Sequence, residues 1–536
     1  MVPISSIRPF DAVFVALCSW LIYKVYQSVC SDAKTIRLKG PPNKSWIFGV
    51  GRYITEQSDS GVVFEQWVSE YGPVFEIPGG FGSRKVVLAD PKAISHFYSK
   101  ETTTYTHHSH TKLLIKNIVG RGLLWADGDS HKRQRKALSP AFSNAAIRKL
   151  TSVFYDSAYK LKEGWDSMLQ TSSSDEMILD VESWMNHVSL DSIGIAGFGH
   201  DFGALRGKPS TVAEVFNAFN TLKPSFWAIA NLVLGPTFPF LANLPSERHA
   251  ITERWSENVA ELASELLART KKADEKGVKV EDRSIMGLLL KAENADLDLR
   301  MTQEEIMAQI KVLILAGYET TSISLTWALV ELCRKPEIQA KLREELVLNF
   351  GASDPTWDQL TNDLPYLDGV VLEVLRLHPP VGVTERVTNE ADIIPFSSPI
   401  TMATGEIIDR LPVRKGTVIT VSIKCMNYSD VSWGPDAKEF KPERWLNNGT
   451  SIPSRAQEIQ GHRHLLTFVD GQRICLGRAF ALAEVKAVLS VLIRNYTFEF
   501  AGGSTTQVEI VRAMLPRPQV VGETKCQVPM RIGRVR

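Results

Sequence analysis

The segment Phe468-Val469-Asp470-Gly471-Gln472-Arg473-Ile474-Cys475-Leu476-Gly477 runs straight into an apolar pattern of helical period that continues from Arg478 to Ile493. It restricts what this chain can become more than any other stretch. A cysteine placed just before a helix has its sulfur near unpaired backbone N–H groups and the positive end of the helix dipole, and both stabilise a thiolate. Gly471 and Gly477 permit a tight turn and the close approach of a flat ligand, while Arg473 supplies a cation for a carboxylate beside it. The segment therefore asks for a ligated thiolate and a paired anionic group at one place.

The chain can build a large body around that segment. Its 536 residues are 44% hydrophobic and 23% charged, close to the globular average, which excludes disordered and fibrous classes. No Gly/Ser- or Pro-rich linker and no run of like charge marks a seam, so one large unit is expected. Lys and Arg number 61 against 60 for Asp and Glu, so no overall positive field exists to attract a nucleic acid, and none is expected as a partner. The cysteines Cys18, Cys30, Cys333, Cys425, Cys475 and Cys526 are scattered without a CxxC pair. That spacing argues against a zinc site or a disulfide framework and favours a reducing compartment.

Strand-like runs at Val74 to Ile77 and Lys85 to Ala89 flank the Gly-rich turn at residues 78–82, a hairpin signature, and another strand cluster is expected over Val413 to Ile423. From Pro91 onward the period is mainly helical, with stretches around 140–170, 180–200, 250–270, 302–333, 336–350, 364–377 and 476–494. Thr302 and Glu305 predict a capping box ahead of a helix reaching about Cys333, with Pro336 as its stop. Ile306, Ile310, Leu313, Gly317, Thr320, Ser324 and Ala328 share one face of it. A mid-helix glycine costs ~1 kcal/mol relative to alanine, so Gly317 suggests that something approaches the backbone there.

The spacing FxxGxRxCxG is the haem-binding signature of cytochromes P450, and it is complete here. The chain resembles that family from Gly40 to about residue 500. The resemblance implies a mainly α fold with small β-sheets (α+β) around haem b, with Cys475 as the axial ligand to iron. Phe468 would pack near the sulfur and Arg473 would pair with a haem propionate. The segment Ala316-Gly317-Tyr318-Glu319-Thr320-Thr321 matches the family's AGxET, which places Ala316 and Gly317 over the distal face of the haem. Thr320 and Glu319 would then stabilise bound oxygen and relay protons to it. A threonine that bonds back to its own helix is the ordinary alternative for an isolated Glu-Thr pair.

Glu373 and Arg376 sit three apart on a helix and can pair. They match the family's ExxR, and Arg444 in Pro442-Glu443-Arg444-Trp445 matches the third member of a buried triad with a role in the fold. The family also carries a tryptophan and an arginine four residues apart on a propionate. This chain departs from it, with His131 at the tryptophan position, while Arg135 fits. A histidine N–H can still donate to a carboxylate. Arg386 aligns with a further propionate-binding arginine, whereas Lys132, Arg133 and Lys136 are read as a solvated helix face. His107, His108 and His110 fall in a polar, loop-like region without a carboxylate or cysteine partner, so a metal role is not expected. In the family this region lines the substrate pocket.

The activity implied is oxidation of an apolar small molecule, of terpenoid, steroid, fatty-acid or aromatic type, using molecular oxygen. NADPH electrons would arrive through a separate membrane-bound P450 reductase, with cytochrome b5 as a second candidate donor, because no flavin or nicotinamide fingerprint accompanies the chain. A haem-thiolate isomerase or dehydratase and a haem-binding sensor are the alternatives, and Glu319-Thr320 speaks against the first.

Residues Ala12 to Tyr23 form an apolar run between Arg8 and Lys24. A full span needs about 20 residues, so this run must extend through residues 25–29 or let Lys24 snorkel. A cleaved signal peptide is the alternative. Lys34, Arg37, Lys39 and Lys44 follow, and the positive-inside rule then puts the body on the cytoplasmic side of the endoplasmic reticulum membrane. The expected division is an anchor over 1–30, a Pro-containing linker over 31–44 and a catalytic body over 45–536. The apolar segment Phe226 to Leu241, broken by Gly235, Pro236 and Pro239, reads as core or as a patch dipping into the bilayer.

Overall fold

The computed structural model describes residues 37–171, 175–221, 246–275, 284–287 and 299–535, with positions 15, 18–20, 23 and 235. The strands in chain order are β1 Val74–Pro78, β2 Arg84–Leu88, β3 Tyr105–Thr106, β4 Glu176–Asp180, β5 Val383–Thr388 and β6 Asp392–Thr401. They are followed by β7 Ile407–Val413, β8 Val418–Ser422, β9 Tyr496–Phe500, β10 Val508–Arg512, β11 Pro516–Val520 and β12 Pro529–Arg534. The principal helices are α1 Ser109–Val119, α2 Gly128–Leu138, α3 Asn144–Thr171, α4 Val181–Phe198, α5 Glu247–Glu275, α6 Gln303–Arg334, α7 Pro336–Phe350, α8 Pro365–Leu377 and α9 Arg478–Asn495.

The expected hairpin is β1–β2, antiparallel from Val74 against Leu88 to Pro78 against Arg84. Its turn closes with the Gly79 N–H donating to Ser83 O at 2.7 Å. β2 then pairs in parallel with β8, which carries β5 and β3 on its far side, so the sheet order is β1-β2-β8-β5-β3. β4, β12 and β9 form a second sheet, while β6–β7 and β10–β11 are separate hairpins. The β6–β7 hairpin and the C-terminal sheet are absent from the sequence reading, because their exposed faces mix polar and apolar residues without strict alternation.

α6 is the axis of the helical body. Its capping box is present: the Glu305 N–H donates to Thr302 Oγ1 at 3.1 Å and the Thr302 N–H donates to Glu305 Oε2 at 2.9 Å. It is apolar and long enough to cross a membrane, but 72% of its most apolar window is buried inside the protein, so it is a core helix. The largest apolar cluster runs from Ala137 to Ile532 and joins α3, α4, α6, α8 and α9, and a second cluster lies around the N-terminal sheet. The loop expected around His107, His108 and His110 is short: His107 and His108 lie in irregular backbone, α1 starts at Ser109 with His108 as its N-cap, and His110 is already helical. The imidazoles hide the helical spacing of Leu114, Ile118 and their neighbours.

Most of the expected anchor, and the segment 226–241 apart from Gly235, lie outside the described residues. Within them, the Trp20 ring meets Phe81 edge-on at 6.1 Å, and Trp46 meets the same ring at 5.4 Å.

Candidate active site

The cysteine loop is shaped by its backbone. Gly471 has φ +65°, and a Cβ there would lie 2.1 Å from Tyr98 O, so the backbone turn and the close approach of a neighbouring carbonyl both require a glycine at this position. The Cys475 N–H donates to Phe468 O at 2.9 Å, which fixes the buried Phe468 under the loop. Gly477 is the N-cap of α9, and the nearest atom to a Cβ there is Phe142 Cε1 at 3.8 Å, so its face is open. The Cys475 side chain is exposed, yet its sulfur lies deep enough in protein for burial to push the thiol pKa up. It therefore faces an internal recess. The Gly477 N–H, Arg135 and Arg478 pull the other way without prevailing. Burial thus opposes the thiolate that the Gly477 N–H and the two arginines favour, and a metal bound at the sulfur would stabilise it further.

Cations converge beside this recess. Arg473 donates to Asp127 Oδ1 and Ala126 O, and Lys112 pairs with Asp127 at 2.6 Å. Arg386 pairs with the buried Glu101 at 2.7 Å. Arg135, on α2, has no acceptor among the described residues, and its guanidinium is close enough to Cys475 for the two to interact. His131, one turn earlier, is buried, and burial with Arg473 and Arg135 pushes its pKa down to about 4, so it is a neutral donor. The nitrogens Arg386 Nε and Arg473 Nε are buried without partners. Four cations, Arg135, Arg386, Arg473 and Lys112, thus meet the two carboxylates of Glu101 and Asp127. A surplus of two positive charges with orphaned donors suits a dianionic ligand such as the propionate edge of a haem. These residues fit the cofactor.

His107 belongs to the same neighbourhood, a placement its polar local sequence does not signal. It is 7% exposed, its Nδ1 is unpartnered, and it feels Arg386, Arg473, Lys112 and His131. Arg133 departs from its expected solvated face: it pairs with Glu305 and donates to Arg300 O at 2.8 Å, whereas Lys132 and Lys136 are exposed.

On α6, Ala316 is exposed and Thr320 half-buried, one turn apart on one face. The Thr320 hydroxyl donates to Ala316 O at 2.7 Å, the ordinary back-bond. A Cβ on Gly317 would lie 2.7 Å from Ile193 side-chain atoms, so what approaches this glycine is α4. Glu319 is fully buried, and its carboxylate pairs with Arg517 of β11, which also pairs with Glu182 of α4. Consecutive residues on a helix do not face each other, and the structure does not bring the Glu319 carboxylate to the Thr320 hydroxyl. Arg517 and Glu182 were invisible to sequence reasoning because they lie 198 and 335 positions from their partners.

The ion triad is assembled. Arg376 holds Glu373 bidentately, Nη2 to Oε1 at 2.7 Å and Nε to Oε2 at 2.8 Å, with both side chains at 0% exposure. Arg444 reaches Glu373 at 3.4 Å and Asp436 at 3.1 Å. Trp445 Nε1 donates to Glu373 Oε2 at 2.9 Å, and Arg376 lies 5.2 Å over the Trp433 ring. Every lone pair of Glu373 is therefore engaged, as a buried carboxylate requires.

An accessible cysteine at a helix start, a cation surplus and a long core helix with a small-residue face define the class of a haem-thiolate protein. The comparisons give the family. The family model for Cytochrome P450 matches residues 39–521. The chain is 55% identical to Cytochrome P450 monooxygenase claQ of Ampulloclitocybe clavipes over all of both chains, and likewise 55% identical to claP of the same organism. It is 34% identical to Cytochrome P450 monooxygenase 128 of Postia placenta over 90% of each. The chain belongs to the cytochrome P450 family and is a P450 monooxygenase, an oxidoreductase with a haem cofactor.

Proposed function

We propose that Cys475 ligates the iron of haem b and that the enzyme inserts one oxygen atom into an apolar small molecule, of terpenoid, steroid, fatty-acid or aromatic type. The observation that carries this reading is the exposed Cys475 sulfur in an internal recess beside a surplus of cations. The haem supplies oxygen activation, the thiolate ligand favouring cleavage of the O–O bond. Arg135, Arg386 and Arg473, with His131 as a neutral donor, bind and orient the propionates. Ala316 leaves its side of the helix uncrowded, Gly317 lets α6 close on Ile193 of α4, and Thr320 offers a hydroxyl one turn after Ala316. Breaking its back-bond to Ala316 O frees that hydroxyl to pass a proton, and Glu319, which here pairs with Arg517, would have to turn away from that pair to supply one. Glu373, Arg376 and Arg444 hold the haem-side loop.

Electrons come from NADPH through a separate reductase, with cytochrome b5 as an auxiliary donor, and the N-terminal segment anchors the enzyme in the endoplasmic reticulum membrane with its body in the cytoplasm. The basic cluster after residue 30 supports that orientation. Purified enzyme with a P450 reductase and NADPH should consume oxygen in step with product from a compound that displaces water from the iron. Product without oxygen uptake would point to an isomerase or dehydratase, and spectral binding without any product to a sensor.

A further inference from the structure

Glu101 stands in the cation-rich wall beside the Cys475 recess and is 1% exposed. Its carboxylate lies 2.7 Å from Arg386 Nη2, yet the atoms are out of line and neither Glu101 oxygen accepts a hydrogen bond. Asp127, the other acid of the wall, is satisfied: Arg473 donates to its Oδ1 and Lys112 pairs with its Oδ2 at 2.6 Å. Facing Glu101 among the described residues are Arg386 from β5, Arg473 from the cysteine loop, Asp127 ahead of α2 and Tyr98 from the helix Pro91–Ser99. Burial raises the Glu101 carboxyl above its ordinary range, with Arg386 and Arg473 pulling the other way.

The backbone is bent to put this acid in the wall. Thr102, the next residue, has φ +82°, a conformation that branched side chains rarely adopt. Three hydrogen bonds hold it: the Thr102 N–H donates to Tyr105 O at 2.9 Å, the Gly128 N–H donates to Thr102 O at 2.8 Å, and the Thr102 hydroxyl donates to Gln472 Oε1 at 2.6 Å. The cysteine loop and the start of α2 thus clamp a strained turn, and strain of this kind gathers at functional positions.

Charge decides what such an acid can do. With Glu101 and Asp127 ionised, the surplus cations of the wall balance the two propionates of an oxidised haem. One added electron then leaves an uncompensated buried negative charge, which is costly. The carboxylate without a hydrogen bond is the group most readily neutralised in response. We propose that Glu101 takes up one proton from solvent when the haem iron gains one electron, and so sets the reduction potential of the iron and ties it to pH. The electron comes from a P450 reductase. The proton stays on Glu101 as charge compensation and returns to solvent when the iron is oxidised again, so one electron and one proton enter and leave together. This rests on haem being held at Cys475 with its propionates on the wall.

The test is an anaerobic redox titration of full-length, haem-loaded enzyme without substrate at a series of pH values, with loading checked by the reduced carbon monoxide spectrum. Because the reduced form binds the proton, the wild-type midpoint should rise as pH falls, by up to about 59 mV for each tenfold rise in proton concentration. Glu101→Gln is fixed in the neutral form. Its midpoint should be constant across the range, lie above wild type at the high-pH end and meet wild type at the low-pH end, while Asp127→Asn should keep the slope. Infrared spectra of reduced minus oxidised enzyme should show a protonated carboxyl band gained by wild type and missing from Glu101→Gln. Should Glu101→Gln not load haem, the wild-type slope and carboxyl band are still required, and Glu101→Asp should shift both. A normal carbon monoxide spectrum with a wild-type midpoint independent of pH, or a Glu101→Gln variant that keeps the wild-type slope, overturns this inference and leaves the haem reading standing. Absence of the thiolate-type band in wild type overturns both.

Discussion

Thr320 and Glu373 make opposite demands on their surroundings. The Thr320 hydroxyl is held only by its own helix, through Ala316 O, and must be released to take part in proton transfer. Thr320→Ala should therefore leave folding and haem loading intact while raising peroxide leakage per NADPH; unchanged coupling would remove the threonine from the relay. Glu373 is the reverse case, a fully buried anion with all of its acceptor capacity taken by Arg376, Arg444, Trp445 and the Lys441 N–H. Arg376→Ala strips its principal cation and should cost about 3–5 kcal/mol, enough to abolish recovery of haem-loaded protein. Recovery of Arg376→Ala with wild-type haem content and thermal stability would contradict that assignment.

Among elements, the packing of α6 on α4 sets the distal wall. A Cβ at Gly317 meets Ile193 Cδ1 and Cγ1 at 2.7 Å. Overpacking of that kind costs about 1–3 kcal/mol, against a gain of ~1 kcal/mol from replacing a helical glycine. Gly317→Ala should be mildly destabilising, and pairing it with Ile193→Val, which removes Cδ1, should recover part of the loss in a thermal denaturation cycle; strict additivity would show that the two side chains do not compete. The same contact explains where the sequence was legible. Periodicity and caps located α3, α4, α6, α7, α8 and α9 to within a few residues, because local signals such as the Thr302/Glu305 box and Pro336 are read from neighbours in the chain. Local order could not reveal which atoms approach Gly317 and Gly471, since Ile193 and Tyr98 come from distant segments. Nor could it reveal that Glu319 turns into a buried pair with Arg517, or that Arg133 leaves the solvated face for Glu305. Polarity rightly signalled irregular backbone at His107 and His108 but missed that α1 begins at Ser109, and only tertiary burial makes His107 part of the cation-rich wall.

For the molecule as a whole, that wall predicts a pH response. Burial pushes the pKa of His107 down to about 2 and that of His131 down to about 4. The unfolded chain takes up these protons near pH 6.5, the folded protein only well below it, so their contribution to stability is complete above about pH 6.5 and is lost as pH falls toward 4. The raised pKa values of Glu101 and Glu182 act in the opposite sense. A comparison with His131→Asn isolates the histidine: its thermal midpoint should fall less steeply than that of wild type between pH 6.5 and 4, and parallel curves would show that His131 is not buried neutral.

All of these roles are arranged around one sulfur. The most direct measurement is the absorption spectrum of the purified enzyme, reduced and exposed to carbon monoxide, for wild type and Cys475→Ser. Wild type should show the band typical of thiolate-ligated haem, and the variant should lose it. A wild-type enzyme without that band, or a Cys475→Ser variant that keeps it, would contradict ligation of the iron by Cys475.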